Sequence, residues 1–493
     1  MVARKWIALS NTTVGTFMAL LDSSIVLISL PTIGRELPGT SPEVLLWVVL
    51  TYSLVTTTLL LSLGRLSDMY GRVRLYTLGF AIFTLGSGLA SLSPDGAFLL
   101  SARLVQGVGA GFLSSNSAAI LTDAFPPQER GRALGINQVA AISGGMLGLV
   151  LGGILTTAMG WRAIFWVNLP IGTFGTVWAY FQLPRDRLEE RHQPIDWKGN
   201  LTFAIGITSL LVGVTLGGLA GWTSPTIVLL LVVGIAGLLL FSRIERVVQS
   251  PMFQTALFRI RTFTFGNMAS FFSALARGAF SFIMVFYFQG VLGDSPLTAG
   301  ILLLPLSLAF VIVGPISGTI SDKTGARFLG TAGLLVSSLG FLLLLEFHAG
   351  DPYLQVASAM VLLGIGQGMF AAPNRAEVMS SVPALRRGVA SGMGMTLLQA
   401  GNLGSLAMGF TILAGVVPHD TLVAIFSGGN ASAPLDVPAF MSALHLIFAV
   451  GLGATLLAAA TNAVRGGQGG RSSEGPGLAS TREALAGRGR TSG

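Results

Sequence analysis

The chain has 493 residues, of which 52% are hydrophobic and only 10% are charged. This apolar content exceeds what the core of a water-soluble domain could bury, so a soluble globular protein is excluded and a polytopic membrane protein is predicted. The chain contains no cysteine, which excludes disulfides, thiolate metal sites and cysteine nucleophiles.

Apolar segments long enough to cross a bilayer recur along the whole chain, and their length predicts helices rather than barrel strands. Their even number places both termini on one side of the membrane. The fourteen predicted spans are 7–30, 44–65, 75–93, 97–120, 132–156, 163–183, 199–219, 225–243, 263–290, 297–320, 328–347, 352–374, 388–414 and 437–462.

Most Lys and Arg residues of the short connections fall on the side of the termini, whereas the opposite loops carry only Arg35 and Arg162. By the positive-inside rule the termini are therefore cytoplasmic. The formal net charge of +8 is attributed to this topology and not to nucleic-acid binding.

The first span contains Asp22 and the fourth contains Arg103. Charges inside spans are costly and generally face a bundle interior or a water-filled cavity. Counted from the outer helix ends, the two residues lie at similar depths, roughly 12 and 9 Å. Burial favours the neutral form of a carboxyl, whereas a nearby guanidinium favours the charged form. We hypothesise that a change in their distance lets Asp22 load and release a proton; an ion pair with only a structural role is the alternative.

A short charged hairpin, residues 64–74, connects spans 2 and 3. Gly64 and Gly71 bracket it and can supply close backbone approach or positive φ, and Asp68 lies within reach of Arg72 and Arg74. The pattern recurs 254 residues later in a second hairpin that ends at Arg327. The repeated pairs are Gly64 and Gly318, Ser67 and Ser321, Asp68 and Asp322, and Gly71 and Gly325.

A second set of matches, at an offset of 257, includes Gly107 with Gly364 and Arg130 with Arg387. We therefore predict two duplicated six-helix bundles, residues 1–184 and 263–463. Residues 185–262 form an inserted transmembrane hairpin with cytoplasmic linkers, and residues 464–493 form a disordered cytoplasmic tail. Parallel half-repeats with a substrate site between them are a recurrent plan of secondary transporters, although repetition alone shows only duplication.

Other candidates lie within the spans. Gly144, Gly148 and Gly152 share one face of span 5 beside Gly153, which suits close helix packing or a sliding seam. Arg277 lies near the middle of span 9, where a cation needs a partner or water. The remaining candidates for a substrate cavity, which could equally bond neighbouring helices, are Gln106, Gln138, Gln289, Gln399 and Asn402.

The 64–74 hairpin resembles the signature loop of the major facilitator superfamily, and Arg103, Gln106 and Gly107 match its span 4 motif. Residues 21–31, the span 5 glycines and residues 161–170 are similar to patterns of the fourteen-span drug:proton antiporter branch. Leu149 and Leu27 replace the usual proline and asparagine of two of these patterns.

This resemblance implies an inner-membrane exporter that expels amphipathic compounds by alternating access as protons enter. Asp22 would be the proton-linked acid, Arg103 its relay partner, and Asp68 with its arginines a gate. The expected partners are a small-molecule substrate, protons and the lipid bilayer. A monomer is expected, with no cofactor and no metal, because the proton gradient supplies the energy.

Two alternatives remain open. The same fold could export an anionic metabolite, lipid or siderophore through Arg277 and Arg103. A membrane enzyme or a non-transporting receptor is the other class, but the sequence has no phosphate loop, no HExxH motif and only four histidines.

Overall fold

The structure is a computed structural model of the chain. It describes residues 2–126, 129–183, 196–248, 251, 253–383, 386–427 and 435–465, apart from the side chains of residues 2, 3, 61, 131, 322 and 388. Helices dominate this part of the chain, and no strand occurs in it.

The α-helices of the first half of the chain and of the inserted segment are α1 (Val2–Glu36), α2 (Pro42–Tyr70), α3 (Arg72–Ser91), α4 (Gly96–Ala124), α5 (Arg130–Met159), α6 (Ala163–Trp166), α7 (Asn168–Gln182), α8 (Trp197–Ala220) and α9 (Pro225–Val247). Those of the second half are α10 (Arg261–Arg277), α11 (Phe280–Phe286), α12 (Pro296–Leu302), α13 (Leu304–Thr324), α14 (Ala326–Leu345), α15 (Tyr353–Ser380), α16 (Arg387–Val416), α17 (His419–Phe426) and α18 (Val437–Val464). A 3₁₀-helix (Thr255–Arg259) precedes α10, and a π-helix (Tyr287–Val291) follows α11.

Among the described residues, 13 helical segments are long and apolar enough to cross a membrane. The predicted span 163–183 is not one of them, because it is divided into α6 and α7 at Val167. Pro170 gives the physical reason. It has no N–H to donate to the carbonyl of Trp166, and its ring crowds that carbonyl. The sequence therefore predicted the segment but not its interruption.

The repeated hairpins end in the same turn. Gly71 (φ 100°) is the single residue between α2 and α3, and Gly325 (φ 84°) is the single residue between α13 and α14. The N–H of Gly71 donates to the carbonyl of Ser67 and that of Gly325 to the carbonyl of Ser321, each at 2.9 Å. Positive φ strongly favours glycine, so the offset of 254 joins positions with one backbone geometry.

The spans that lead to these turns, α2 in one case and α12 with α13 in the other, also begin alike. Ser41 caps α2 by accepting the N–H of Val44, and Ser295 caps α12 by accepting the N–H of Thr298. Each cap is followed by a proline, which suits the first turn of a helix because its missing N–H would be unpaired there. We call residues 2–183 the N-terminal half and residues 261–465 the C-terminal half.

The inserted pair α8 and α9 contacts both halves. The amide of Asn200 on α8 donates to the carbonyl of Thr58 on α2 at 2.7 Å. Further along α8, the carbonyl of Val214 accepts the hydroxyl of Thr411 on α16, also at 2.7 Å. The pair therefore lies alongside the line where the two halves meet.

Helix α1 begins at one face of the molecule, which we call the terminal face. The two halves are in contact at the opposite face. Gln289 donates to the carbonyl of Ile28 at 2.8 Å across this contact. A Cβ on Gly34 would lie 2.7 Å from the carbonyl oxygen of Phe426. At the terminal face, by contrast, the exposed side chains of Gln138 and Arg375 approach only to 3.5 Å. The space between the halves is therefore closed opposite the terminal face and open toward it.

Candidate functional site

Asp22 lies at the centre of a buried polar cluster in the N-terminal half. Its side chain is 0% exposed and that of Arg103 is 1% exposed. Nη1 of Arg103 donates to Oδ2 of Asp22 at 2.6 Å, and the amides of Gln106 and Asn168 donate to Oδ1 at 3.0 and 2.7 Å. Three donors directed at two carboxylate oxygens fit an ionised acid.

Arg103 has further partners besides this carboxylate. Its Nε donates to the carbonyl of Val48 at 3.1 Å, and its Nη1 donates to Oε1 of Gln106 at 2.7 Å. The guanidinium carbon lies 4.4 Å from the ring centroid of Tyr52, a cation–π contact. The amide of Gln106 donates in turn to the hydroxyl of Ser87. The arginine would therefore keep several partners if Asp22 became neutral.

The sequence predicted that Asp22 and Arg103 could share a level, and the two residues are in contact. Their helices are longer than the predicted spans, because α1 continues to Glu36 beyond its predicted end at residue 30. Asp22 consequently lies roughly 21 Å from the end of α1, and Arg103 lies roughly 11 Å from the start of α4. The role of the pair in moving protons stays a prediction.

The glycines of span 5 lie against α1. A Cβ on Gly144 would be 2.5 Å from the carbonyl oxygen of Phe17, and one on Gly148 would be 2.7 Å from that of Leu21. Gly152 continues this contact one turn further along α1. These three glycines therefore permit close packing inside the N-terminal half.

Gly153 faces the other half of the molecule. A Cβ there would be 2.5 Å from Cα of Leu297 on α12, and the carbonyl of Leu149 closely approaches Gly300 on the same helix. This part of α5 thus forms the contact between the halves that closes the face opposite the termini.

The first hairpin carries ion pairs at the surface. Arg72 donates to Asp68 at 2.7 Å and to Asp123, at the end of α4, at 2.6 Å. The side chains of the two acids are 56% and 59% exposed, so the pairs are well hydrated. Arg74 is exposed and is not among the described ion pairs.

Gly64 does not have the predicted bracketing role. Helix α2 continues through it to Tyr70, and the glycine does not have positive φ. A Cβ there would approach nothing closer than Ser115, at 3.9 Å. The expectation of positive φ or close backbone approach at Gly64 was therefore wrong, because α2 continues regularly through this glycine to Tyr70.

The second hairpin is described only in part. The side chain of Asp322 lies outside the described residues. Arg327 is exposed, and its carbonyl accepts the amide of Asn462 on α18 at 3.0 Å. The predicted gating role of both residues stays a prediction.

The predicted cavity residues divide into two groups. Gln106 and Gln289 are buried and hydrogen-bonded, the first in the Asp22 cluster and the second in the contact between the halves. The others are at least partly accessible: Gln138, Arg277, Gln399 and Asn402. In this conformation only the second group can line open space.

Several residues of the site were not singled out from the sequence. Asn168 lies within the 161–170 motif, where a polar residue in an apolar run was an available signal. Tyr52 and Ser87 gave no signal, because their roles depend on contacts with α4. Arg375 was placed outside span 12, whose predicted end was residue 374; helix α15 in fact continues to Ser380.

The family model of the Major Facilitator Superfamily matches residues 12–406. The chain belongs to this superfamily. Among its relatives, the riboflavin transporter RibZ of Clostridioides difficile (strain 630) is 34% identical over 388 residues, which cover 78% of this chain and 83% of that protein. The multidrug resistance protein Stp of Mycobacterium tuberculosis (strain CDC 1551 / Oshkosh) is 35% identical over 412 residues, which cover 83% of this chain and 75% of that protein.

Solved structures of other transporters share the fold. The crystal structure of a D-xylose-proton symporter has a TM-score of 0.62 at 15% sequence identity, and the match covers 92% of this chain and 97% of that one. At this identity the likeness concerns the fold alone. Membership of the superfamily and relatives that are themselves transporters indicate that this major facilitator protein is a multi-pass membrane transporter rather than an enzyme.

Proposed function

We propose that this protein exports hydrophobic or amphipathic small molecules in exchange for protons, as a member of the fourteen-span drug:proton antiporter branch. It acts in the inner membrane with both termini in the cytoplasm. The observation that carries the proposal is the carboxylate of Asp22, buried at mid-span and paired with Arg103. The names of relatives, a riboflavin transporter and a multidrug resistance protein, support a small-molecule substrate.

The first step uses the conformation described above. With the terminal face in the cytoplasm, as the positive-inside rule favours, the space between the halves is open to the cytoplasm. A substrate enters it from there. Asp22 is ionised at this stage, because Arg103, Gln106 and Asn168 all donate to it.

The second step exposes Asp22 to protons from outside. The halves close at the terminal face and open at the other, which requires the contacts of Gly153 with Leu297 and of Ile28 with Gln289 to separate. The substrate then leaves and a proton binds Oδ2 of Asp22. The proton occupies the position at which Nη1 of Arg103 donates, so protonation and the ion pair exclude each other.

The return step carries the proton inward. A neutral carboxyl costs less to bury than an unpaired carboxylate, so the protonated cluster tolerates the reorientation. Arg103 stays in place through Val48, Gln106 and Tyr52. When its bond to Asp22 forms again, the proton is released to the cytoplasm and the cycle is complete.

The first hairpin acts as a gate in this cycle. Arg72 ties α3 to the ends of α2 and α4, and Arg65 donates to the carbonyl of Pro251, in the segment that leads to the C-terminal half, at 2.6 Å. Contacts of this kind at the terminal face bias the equilibrium between the two conformations. Their weak, hydrated character suits a gate that must open in every cycle.

Asp22→Asn in proteoliposomes tests the function. The variant keeps an acceptor for Arg103 but has no proton to exchange at neutral pH. We expect loss of riboflavin or dansyl-dye transport driven by a pH gradient, with exchange of the same compound across an unenergised membrane retained. Asp420→Asn, which changes an exposed acid at the start of α17, is the matched control.

The outcomes separate the parts of the proposal. Transport by Asp22→Asn at the wild-type rate under a pH gradient would remove Asp22 as the coupling residue. Absence of flux for every compound in a small panel, by wild-type protein of normal thermal stability, would contradict export itself.

A further inference from the structure

Helices α10 and α15 of the C-terminal half are linked by a row of polar contacts. Asn374 donates to the hydroxyl of Ser270 at 2.8 Å, and Gln367 and Ser273 exchange hydrogen bonds at 2.9 and 3.1 Å. Residues four apart on a helix lie on one face, so Arg277 continues the row by one turn beyond Ser273. The arginine therefore projects beside α15 in the interior of the bundle.

The side chain of Arg277 is exposed, although the row of polar residues that it continues faces α15 of the same half. A helix face that packs against a neighbouring helix of the same half does not face lipid, so this exposure places Arg277 on the wall of a cavity inside the protein. It lies roughly 24 Å from the start of α10 at the terminal face. The cavity consequently reaches at least to mid-membrane.

Arg375 lies along the same cavity, nearer to its opening at the terminal face. It is roughly 8 Å from the terminal-face end of α15, and its side chain is also exposed. Its Nη1 reaches toward Oε1 of Gln138 on α5, in the opposite half, at 3.5 Å. This direction shows that the guanidinium points into the space between the halves.

Neither arginine has a carboxylate partner among the described residues. The acids that lie within neighbouring helices are already used: Asp22 pairs with Arg103, and Glu377 pairs with an arginine at the end of α18. A cavity between apolar helices thus carries two cations without counter-ions. Unpaired charges at this depth are costly and mark a pathway for an ion or substrate.

Neutral hydrogen-bonding groups lie close to Arg277. The backbone of Asn402 on α16 packs against Gly278, the residue that follows the arginine. The amide of Asn402 donates to Oε1 of Gln399 at 3.0 Å, and both side chains are half-buried. This amide pair can hydrogen-bond the polar part of a ligand held by Arg277 without neutralising its charge.

We propose that the transported compounds are amphipathic anions whose carboxylate, sulfonate or phosphate group binds first at Arg375 and then at Arg277. The inference rests on the proposed export function, because it assigns the substrate class of that cavity. Arginine suits the task, since its planar fork binds such groups through two parallel hydrogen bonds. A cationic compound of the same size is repelled electrostatically by both arginines along this path.

Equilibrium binding to the purified protein in detergent tests the substrate class without any proton gradient. The probes are dansylglycine, an anion, and dansyl-ethylenediamine, a cation with the same fluorophore. We expect wild-type protein to bind the anion about tenfold or more tightly than the cation, as charge-assisted hydrogen bonds predict. This comparison requires no variant.

Variants locate the site. Arg277→Gln should weaken dansylglycine binding about tenfold and Arg375→Gln by a smaller factor, whereas Arg277→Lys should keep part of the affinity. Arg35→Gln, which removes an exposed arginine paired with its neighbour Glu36, is the matched control and should leave binding unchanged. Thermal unfolding verifies that each variant is folded; loss of an unpaired interior charge should not lower stability.

Equal or tighter binding of the cation, no binding of either probe, or unchanged affinity in Arg277→Gln would overturn the proposal. The result is independent of the coupling mechanism, since Asp22→Asn should bind dansylglycine like wild type even though it loses transport driven by a pH gradient. Failure of the export function would appear in that flux experiment and not in binding.

Discussion

The two halves of the molecule share their backbone plan but differ in where they place charge. Three members of the polar cluster in the N-terminal half correspond to apolar residues in the C-terminal half. Two of these apolar residues, Met360 and Leu363, are 0% and 2% exposed. The related pairs are Asp22 and Ala276, Arg103 and Met360, and Gln106 and Leu363. The same helix positions thus form an ion pair in one half and an ordinary apolar core in the other.

The packing glycines, by contrast, are repeated. Gly144 lies against the carbonyl of Phe17 in one half, and Gly401 lies against the carbonyl of Phe271 in the other, with the same Cβ separation of 2.5 Å. Gly144 and Gly401 are related by the offset of 257, and Phe17 and Phe271 are related by the offset of 254. Close packing of the first and fifth helices therefore belongs to the fold itself, whereas the Asp22 cluster is a feature of one half.

This contrast indicates a division of labour. The N-terminal half buries its charges and seals them from the cavity, which suits a proton site. The C-terminal half is apolar at those positions, but it presents Arg277 and Arg375 to open space, which suits a substrate site. Arg277 follows Ala276, the counterpart of Asp22, so the two candidate sites lie at the same level in opposite halves.

The largest effect is expected when the N-terminal cluster is converted to its C-terminal counterpart. Arg103→Met alone leaves Asp22 buried without a cation and should lower the free energy of unfolding by about 3–5 kcal/mol. Adding Asp22→Ala should restore most of this loss, because an apolar pair of suitable volume often replaces a buried ion pair without penalty. Thermal unfolding in detergent measures both. A double variant less stable than Arg103→Met would contradict the comparison.

An intermediate effect of similar size in both halves is expected at the shared glycines. Gly144→Val and Gly401→Val each force a side chain against a carbonyl and should cost about 1–3 kcal/mol. Gly135→Ala is the control: it lies on α5 with no atom within 4 Å of its Cβ position, and it should be neutral or slightly stabilising. If only one valine variant were destabilised, the packing would not be shared.

The smallest effect is expected at the exposed gate. Arg72 corresponds to Ala326 and Asp123 to Ser380, so the second hairpin lacks this pair. A double-mutant cycle with Arg72→Ala and Asp123→Asn should give a coupling of about 0.2–1 kcal/mol that decreases in 1 M salt. A larger coupling that is insensitive to salt would show that the pair is more than a hydrated surface contact.

Much of the architecture could be predicted from the sequence. The approximate positions of thirteen spans and the duplicated hairpins follow from hydropathy and spacing, and the depths of Asp22 and Arg103 allowed their pairing. Helix ends were less accurate, because polar residues at an end resemble a loop. For this reason Arg375 was assigned to the outside of its span.

The sequence by itself determined that the chain is a helical membrane protein with two similar hairpins and a few charges deep in its spans. Only the tertiary structure decided which of these charges meet. Asp22 finds Arg103 across 81 positions of the chain, whereas Arg277 meets no acid among the described residues. Such pairing depends on the rotation and axial shift of each helix, which are set by many distant packing contacts and not by the residues around the charge.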